Sequence, residues 1–80
     1  MGVCMINIGF GNMINESRII AVLSPDSAPL KRLISDSREK NNVIDATYGR
    51  RTRSIVVMDN TQIILASVAP QTIYSRIKND

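Results

Sequence analysis

Cys4 is the only cysteine of an 80-residue chain that contains no histidine. These two facts limit how so short a chain can be stabilised, because neither an internal disulfide nor a cysteine–histidine metal cage can form. A chain of this length buries only about 60% of the surface that it exposes when unfolded, so its core is marginal. Association with further subunits is the remaining reinforcement. We therefore predict one domain over residues 1–80 that assembles into a homo-oligomer.

The hydrophobic pattern predicts an α+β fold with a small mixed or antiparallel sheet, one central helix and a short C-terminal helix, in the order β-β-α-β-β-β-α. Strands are predicted over residues 5–8, 18–23, 43–48, 53–58 and 62–69. Segment 18–23 is almost continuously apolar, which indicates a strand buried on both faces. Gly9 and Gly11 predict a turn with positive φ, and Asp59-Asn60 predicts a tight turn before the last strand.

The two helices are marked by the residues at which they begin. Ser27 can cap the first helix with its hydroxyl, and Pro29 then falls in the first turn, where no backbone hydrogen bond is lost. Apolar residues follow at helical spacing and give this helix one apolar face, until the two asparagines at 41–42 end it. Pro70 opens the second helix, which is predicted over 71–78.

The residues that catalyse reactions or hold cofactors are missing or scattered. Without histidine the chain lacks the commonest general base, and Cys4 has no basic neighbour to activate it as a nucleophile. Gly9-Phe10-Gly11 lacks the third glycine of a dinucleotide-binding loop. We therefore predict no enzyme, no catalytic or metal-binding residue, no cofactor and no small-molecule substrate. No apolar run is long enough to span a membrane, and the free cysteine without an export signal predicts a cytoplasmic protein.

The densest charge is the run Gly49-Arg50-Arg51-Thr52-Arg53. Its glycine predicts a hairpin turn between the third and fourth strands, with Arg50 and Arg51 projecting into solvent at the tip. The planar guanidinium group suits phosphate oxygens and the major-groove edge of guanine, so the turn is a candidate contact for double-stranded DNA. A solvated loop that only aids solubility is the alternative interpretation.

Other arginines give weaker signals. Arg53 begins a strand, where it either joins the DNA contact or pairs with Asp45 or Asp59 across the sheet. Arg18 alone indicates no more than a charge at the end of a strand. A few arginines per subunit would bind DNA weakly, whereas a symmetric oligomer repeats the patch and multiplies the effect. An adaptor ring that binds an acidic protein surface is the alternative, and the aromatic content of 4% disfavours single-stranded nucleic acid.

Several motifs resemble the RemA family of bacterial extracellular-matrix regulators. They are Met-Ile-Asn-Ile-Gly-Phe-Gly-Asn at 5–12, Ser-Pro-Asp-Ser-Ala-Pro at 24–29, Asp-Ala-Thr-Tyr-Gly-Arg-Arg-Thr-Arg at 45–53, and the piece from Met58-Asp59 to Leu65-Ala66. They occur in the family's order and spacing, and the resemblance covers residues 5–78. One departure is Tyr48, where histidine is common in the family.

The resemblance implies a DNA-binding transcriptional activator of biofilm-matrix operons. Such proteins form rings of seven or eight subunits with a fold similar to the LytTR-type DNA-binding domain, and DNA is expected to follow the outside of the ring. The arginines that contact DNA in the family match Arg18, Arg50 and Arg51 here. The proline that the family uses in assembly matches Pro29. A place on the bacterial nucleoid is implied as well.

Overall fold

The main sheet has four strands, of which the two central ones are buried on both faces. The structure is a computed structural model that describes residues 4–26 and 28–78. Its elements in chain order are β1 (Met5–Asn7), β2 (Met13–Asn15), a 3₁₀ turn (Glu16–Arg18), β3 (Ile19–Leu23), α1 (Ala28–Glu39), β4 (Val43–Asp45), β5 (Ser54–Met58), β6 (Ile63–Ala66) and α2 (Pro70–Lys78). The predicted α+β class and element order are confirmed, and β2 is an additional short strand that pairs with β1.

The side chains of the central strands point alternately to the two faces of the sheet, and this divides the core into two layers. The order in the main sheet is β3-β5-β6-β4, with β5 antiparallel to β3 and β6. On one face, Ile55, Ile63 and Leu65 form a buried cluster with Leu30 and Ile34 of α1 packed against it. Because successive side chains of a strand point to opposite faces, the intervening residues build the second layer.

The second layer joins the main sheet to α2 and to the β1–β2 hairpin. Val56 and Ile64 from the sheet cluster with Ile8 of the hairpin and Ile73 of α2, all of them buried. The guanidinium of Arg76 in α2 also donates to a backbone carbonyl of β1. The hairpin is therefore fixed to the body of the domain, which determines where its turn lies.

The predicted burial of segment 18–23 on both faces is wrong. β3 is an edge strand whose residues are half-buried or exposed, and Ile20 is 66% exposed. An apolar run indicates burial but does not distinguish a central strand from an edge strand that another surface could cover. The strand therefore leaves an apolar edge open.

The predicted hairpin around Gly49 is also wrong. β4 pairs in parallel with β6, and β6 separates it from β5. The chain reverses direction after β4 but crosses the end of β6 before it enters β5. Turn residues indicate a reversal without specifying which strands pair, which explains the error. Residues 46–53 are consequently a loop across the end of the sheet.

The first helix begins and ends close to its predicted limits. Pro29 lies in the first turn of α1, as predicted, while Ser27 falls outside the described residues. At the other end, Asn41 has a φ of 57°, its N–H donates to the Arg38 carbonyl, and the N–H of Asn42 donates to the Ser37 carbonyl. This is the Schellman arrangement that ends many helices.

Candidate nucleic-acid interface

The loop formed by residues 46–53, named the arginine loop below, is attached to β6 at both ends. The N–H of Ala46 donates to the Leu65 carbonyl at 2.8 Å, and the N–H of Arg53 donates to the Ala66 carbonyl at 2.8 Å. Consecutive carbonyls of one buried strand therefore hold the entry and the exit of the loop. The residues between them are presented from a fixed base.

Asp45 organises the entry of this loop. Its carboxylate accepts hydrogen bonds from the hydroxyl of Thr47 at 2.6 Å and from the backbone N–H of Thr47 at 2.9 Å. These bonds, the hydroxyl one foremost, hold the pKa of Asp45 below its usual value, and the positive charge of Arg38 lowers it further. The anionic form of Asp45 therefore holds Thr47, which is buried, in place.

Two turns of matching backbone geometry face each other at this end of the molecule. The turn predicted from the glycines of the first loop is confirmed: Phe10 and Gly11 have φ values of 55° and 77°, and the N–H of Asn12 donates to the Gly9 carbonyl. In the arginine loop, Tyr48 and Gly49 have φ values of 57° and 81°, and the N–H of the next residue donates to the Thr47 carbonyl. Positive φ at both central positions is the pattern of a type I′ turn.

The side chains of these two turns stack on each other. The rings of Phe10 and Tyr48 have centroids 5.3 Å apart and planes inclined by 20°. The guanidinium carbon of Arg50 lies 5.9 Å from the Phe10 centroid, within the range of a cation–π interaction. The structure thus brings Arg50 together with two aromatic residues that the sequence analysis did not assign to the site. The signal was an aromatic-glycine pair in each turn, but nothing in the sequence indicated that the turns would meet.

Arg51 and Arg53 face a different feature, an open cleft of about 530 Å³. Its other walls are the segment Ser24–Asp26 before α1 and the beginning of α2 at Ala69 and Pro70. Arg53 therefore stays on the same side of the arginine loop as Arg51. Neither ion pair considered for Arg53 forms among the described residues. Asp45 accepts hydrogen bonds from Thr47, and Asp59 lies at the opposite end of β5 beside Arg18.

The guanidinium groups of Arg50, Arg51 and Arg53 are exposed and lack a carboxylate partner within the described part of the chain. Three positive side chains on one short loop repel each other unless an anion lies between them. Asp26 lines the same cleft as Arg51 and Arg53 without forming an ion pair with them, so the loop carries a net positive charge. An exposed cationic cluster of this kind attracts polyanions at long range and binds phosphate oxygens at short range.

Arg18 lies at the opposite end of the sheet. It precedes β3, whereas Arg53 precedes β5, and these two strands are antiparallel. The length of β3 separates the two ends by roughly 17 Å. The Nη1 atom of Arg18 is 3.6 Å from Oδ1 of Asp59, and both side chains are largely exposed. Within one subunit the structure therefore groups Arg50, Arg51 and Arg53 but leaves Arg18 apart.

Pro29, the residue predicted to serve assembly, is exposed in the first turn of α1.

Across residues 4–26 and 28–78, no three histidine, cysteine, aspartate or glutamate side chains come together as a possible metal site. Neither of the helices in those ranges has the length and apolar character needed to cross a membrane.

Comparison with known proteins identifies relatives of similar length. The model of the RemA-like family, described as extracellular matrix regulatory protein A-like, matches residues 5–77. A "Putative regulatory protein" of Geobacillus sp. (strain WCH70) is 53% identical over 77 residues, which are 96% of this chain and 88% of the relative. Proteins also named "Putative regulatory protein", from Dictyoglomus turgidum and Trichormus variabilis, are 55% and 50% identical, over 92% and 95% of this chain and 87% and 86% of their own lengths.

Proposed function

This chain belongs to the RemA-like family and is a regulatory protein, and we propose that it acts by binding double-stranded DNA as a homo-oligomeric ring. The names of its relatives point to regulation and not to catalysis. The observation that carries the DNA-binding proposal is a cluster of exposed guanidinium groups that form no ion pair among the described residues, on a loop with fixed ends. In this proposal Arg50 and Arg51 contact backbone phosphates, and Arg53 contributes from the rim of the cleft.

The distance between the two basic ends suits a duplex. Arg18 and the arginine loop of one subunit lie roughly 17 Å apart, which is well within the ~34 Å length of one helical turn of DNA. A duplex that follows the outside of a ring would thus meet arginines from both ends as it passes each subunit. Contacts of this kind are made to phosphates and carry little sequence information, so recognition depends mainly on how easily the DNA bends.

Assembly is supported by the two open edges of the main sheet. β3 exposes Ile20 at one edge of the sheet, and β4 exposes Ile44, which is 45% accessible, at the other edge. Different edges that meet head to tail generate a ring if the rotation between subunits closes. Pro29 lies in the first turn of α1, and we assign it a role in assembly and not in DNA contact. The family implies seven or eight subunits.

The cellular role proposed on the same basis is activation of biofilm-matrix operons by a cytoplasmic protein bound to the nucleoid.

The second candidate function is an adaptor ring whose arginine loop binds an acidic protein surface. The same exposed guanidinium groups favour it. Pull-down from nuclease-treated lysate separates the two, because partners held through DNA are lost and a direct protein partner is kept.

A titration of a fluorescent duplex with the protein, followed by anisotropy at several salt concentrations, tests DNA binding. We expect affinity to fall steeply with salt, because each phosphate contact contributes a slope of about −0.9 to log K against log [salt]. Arg51→Ala should weaken binding and reduce the slope, whereas Arg32→Ala, an exposed arginine on α1, is the matched control and should change neither by much. Affinity that is flat between low and moderate salt would refute the phosphate contacts.

A further inference from the structure

The stacked pair of Phe10 and Tyr48, named the aromatic tip below, is not accounted for by the proposed phosphate contacts of the arginines. We propose that Tyr48, braced by Phe10, is a wedge that enters the minor groove of the bound duplex and partly unstacks one base step. This inference rests on the DNA-binding function proposed above. It assigns two further residues to the site and states what they contact.

The backbone conformation at the aromatic tip is unfavourable for the bulky residues that occupy it. A positive φ is unusual for any residue with a Cβ and is a genuine outlier for a bulky one, and turns of this type prefer asparagine or glycine at the positions held by Phe10 and Tyr48. Such strain persists only where the surrounding structure imposes it, and it concentrates at functional sites. Here the same strained position is occupied by an aromatic residue twice.

Stability alone does not account for this choice. Tyr48 is 81% exposed and Phe10 is 49% exposed, so the rings cover each other but bury little further surface. One face of Tyr48 rests on Phe10 and most of the rest of its ring faces solvent. An exposed aromatic surface beside a guanidinium group suits a ligand that presents phosphate, sugar and base edges together.

The tip is rigid enough to act as a wedge. A Cβ placed on Gly9 would lie 3.3 Å from Cγ2 of Val68, so the turn that carries Phe10 rests directly on the loop before α2. Phe10 in turn supports Tyr48, whose own loop is fixed to β6 at both ends. Inserted side chains that kink DNA need such support, because they act against base stacking.

A duplex fits the tip better than a single strand does. Proteins that hold single strands stack successive bases on successive rings, whereas the described residues offer one outward ring, that of Tyr48, at this position. Arg50 and Arg51 follow Tyr48 in the chain after a single glycine, where they can bind the phosphates beside an opened step. Pyrimidine–purine steps, which unstack at least cost, should be the preferred entry points.

Fluorescence of 2-aminopurine placed in the TpA steps of a duplex reports unstacking directly, and anisotropy on the same samples reports occupancy. We expect the wild-type protein to raise the 2-aminopurine signal at saturation. Tyr48→Asn removes the ring but suits positive φ, so it should bind about tenfold more weakly and raise the signal little even when saturated. Tyr48→Phe is the matched control and should behave like the wild type.

The outcomes separate this inference from the function on which it rests. A wild-type protein that binds the duplex without changing the 2-aminopurine signal would overturn the wedge and leave DNA binding intact. The same holds if Tyr48→Asn and the wild type give equal signals, or if the ring proves to matter only for a single-stranded competitor. Absence of duplex binding by the wild type at low salt would instead refute the proposed function.

Discussion

The two basic ends of the sheet differ in how their charges are balanced. Arg18 stands beside Asp59 at 3.6 Å, whereas the arginine loop has no carboxylate partner among the described residues. An exposed ion pair contributes little to stability, but it does offset the field that an approaching polyanion meets. If the protein binds DNA as proposed, we therefore expect the arginine loop to contribute more to the affinity than Arg18 does. In the proposed ring, each further subunit would add both of its ends to the contacts made with one duplex.

The largest expected effect follows from separating the subunits. Pro29→Ser should give smaller species in native mass spectrometry and weaken duplex binding by about 100-fold, because avidity across a ring multiplies weak contacts. In such smaller species, the contributions of Arg18 and of the arginine loop to duplex binding could be measured without the avidity of the full ring. An unchanged ring mass would show that Pro29 only shapes the beginning of α1.

Next in size is removal of the loop charges within an intact ring. The double variant Arg50→Ala/Arg51→Ala should lose at least about tenfold in affinity at moderate salt, with unchanged ring mass, because each subunit loses two phosphate contacts. Arg18→Ala should lose less, since Asp59 already offsets that charge. Anisotropy titrations of both variants make the comparison. A greater loss for Arg18→Ala would reverse the ranking of the two ends.

A smaller effect in the opposite direction is expected at Asp59. Asp59→Asn leaves Arg18 without its nearby carboxylate, so duplex affinity should rise about twofold to threefold at low salt and the gain should fade as salt is added. Asn60→Asp, which adds a carboxylate in the same turn, is the converse variant and should lower affinity. If Asp59→Asn weakens binding, the carboxylate orients Arg18 for its contact and does not compete with the DNA.

The smallest effect concerns the support of the arginine loop. Because the pKa of Asp45 is lower in the folded protein than in the unfolded chain, its hydrogen bonds to Thr47 stabilise the fold at neutral pH. This contribution is lost as the pH falls through the pKa of the folded protein, which lies below the ordinary value of about 4 for an aspartate. Urea unfolding at several pH values should show Asp45→Asn less stable above about pH 5, with the difference shrinking towards pH 2. A difference that does not change with pH would show that the charge is irrelevant to the loop.

Much of the fold could be predicted because it is encoded locally. The helical spacing after Pro29 and the opening of α2 at Pro70 agree with the structure, as do the turns at the first glycines and at Asp59-Asn60. The partners of the strands could not be predicted, since turn chemistry around Gly49 is the same whether β4 meets β5 or crosses over to β6.

The site was predicted in part for a similar reason. Charge density alone selects Arg50, Arg51 and Arg53, and their proximity follows from adjacent positions in the chain. Phe10 and Tyr48 are far apart in sequence, and their stack depends on the tertiary placement of the hairpin against the body of the domain. Single-sequence patterns do not contain that information.

Chemical footprinting of arginines tests the central claim most directly. The protein is treated with phenylglyoxal with and without saturating duplex, and the modified arginines are quantified by mass spectrometry. We predict strong protection of Arg50, Arg51 and Arg53 by DNA, with little change at Arg32 and Arg38 on α1. Equal reactivity of the three loop arginines in the free and the bound protein, with protection confined to α1, would contradict the account.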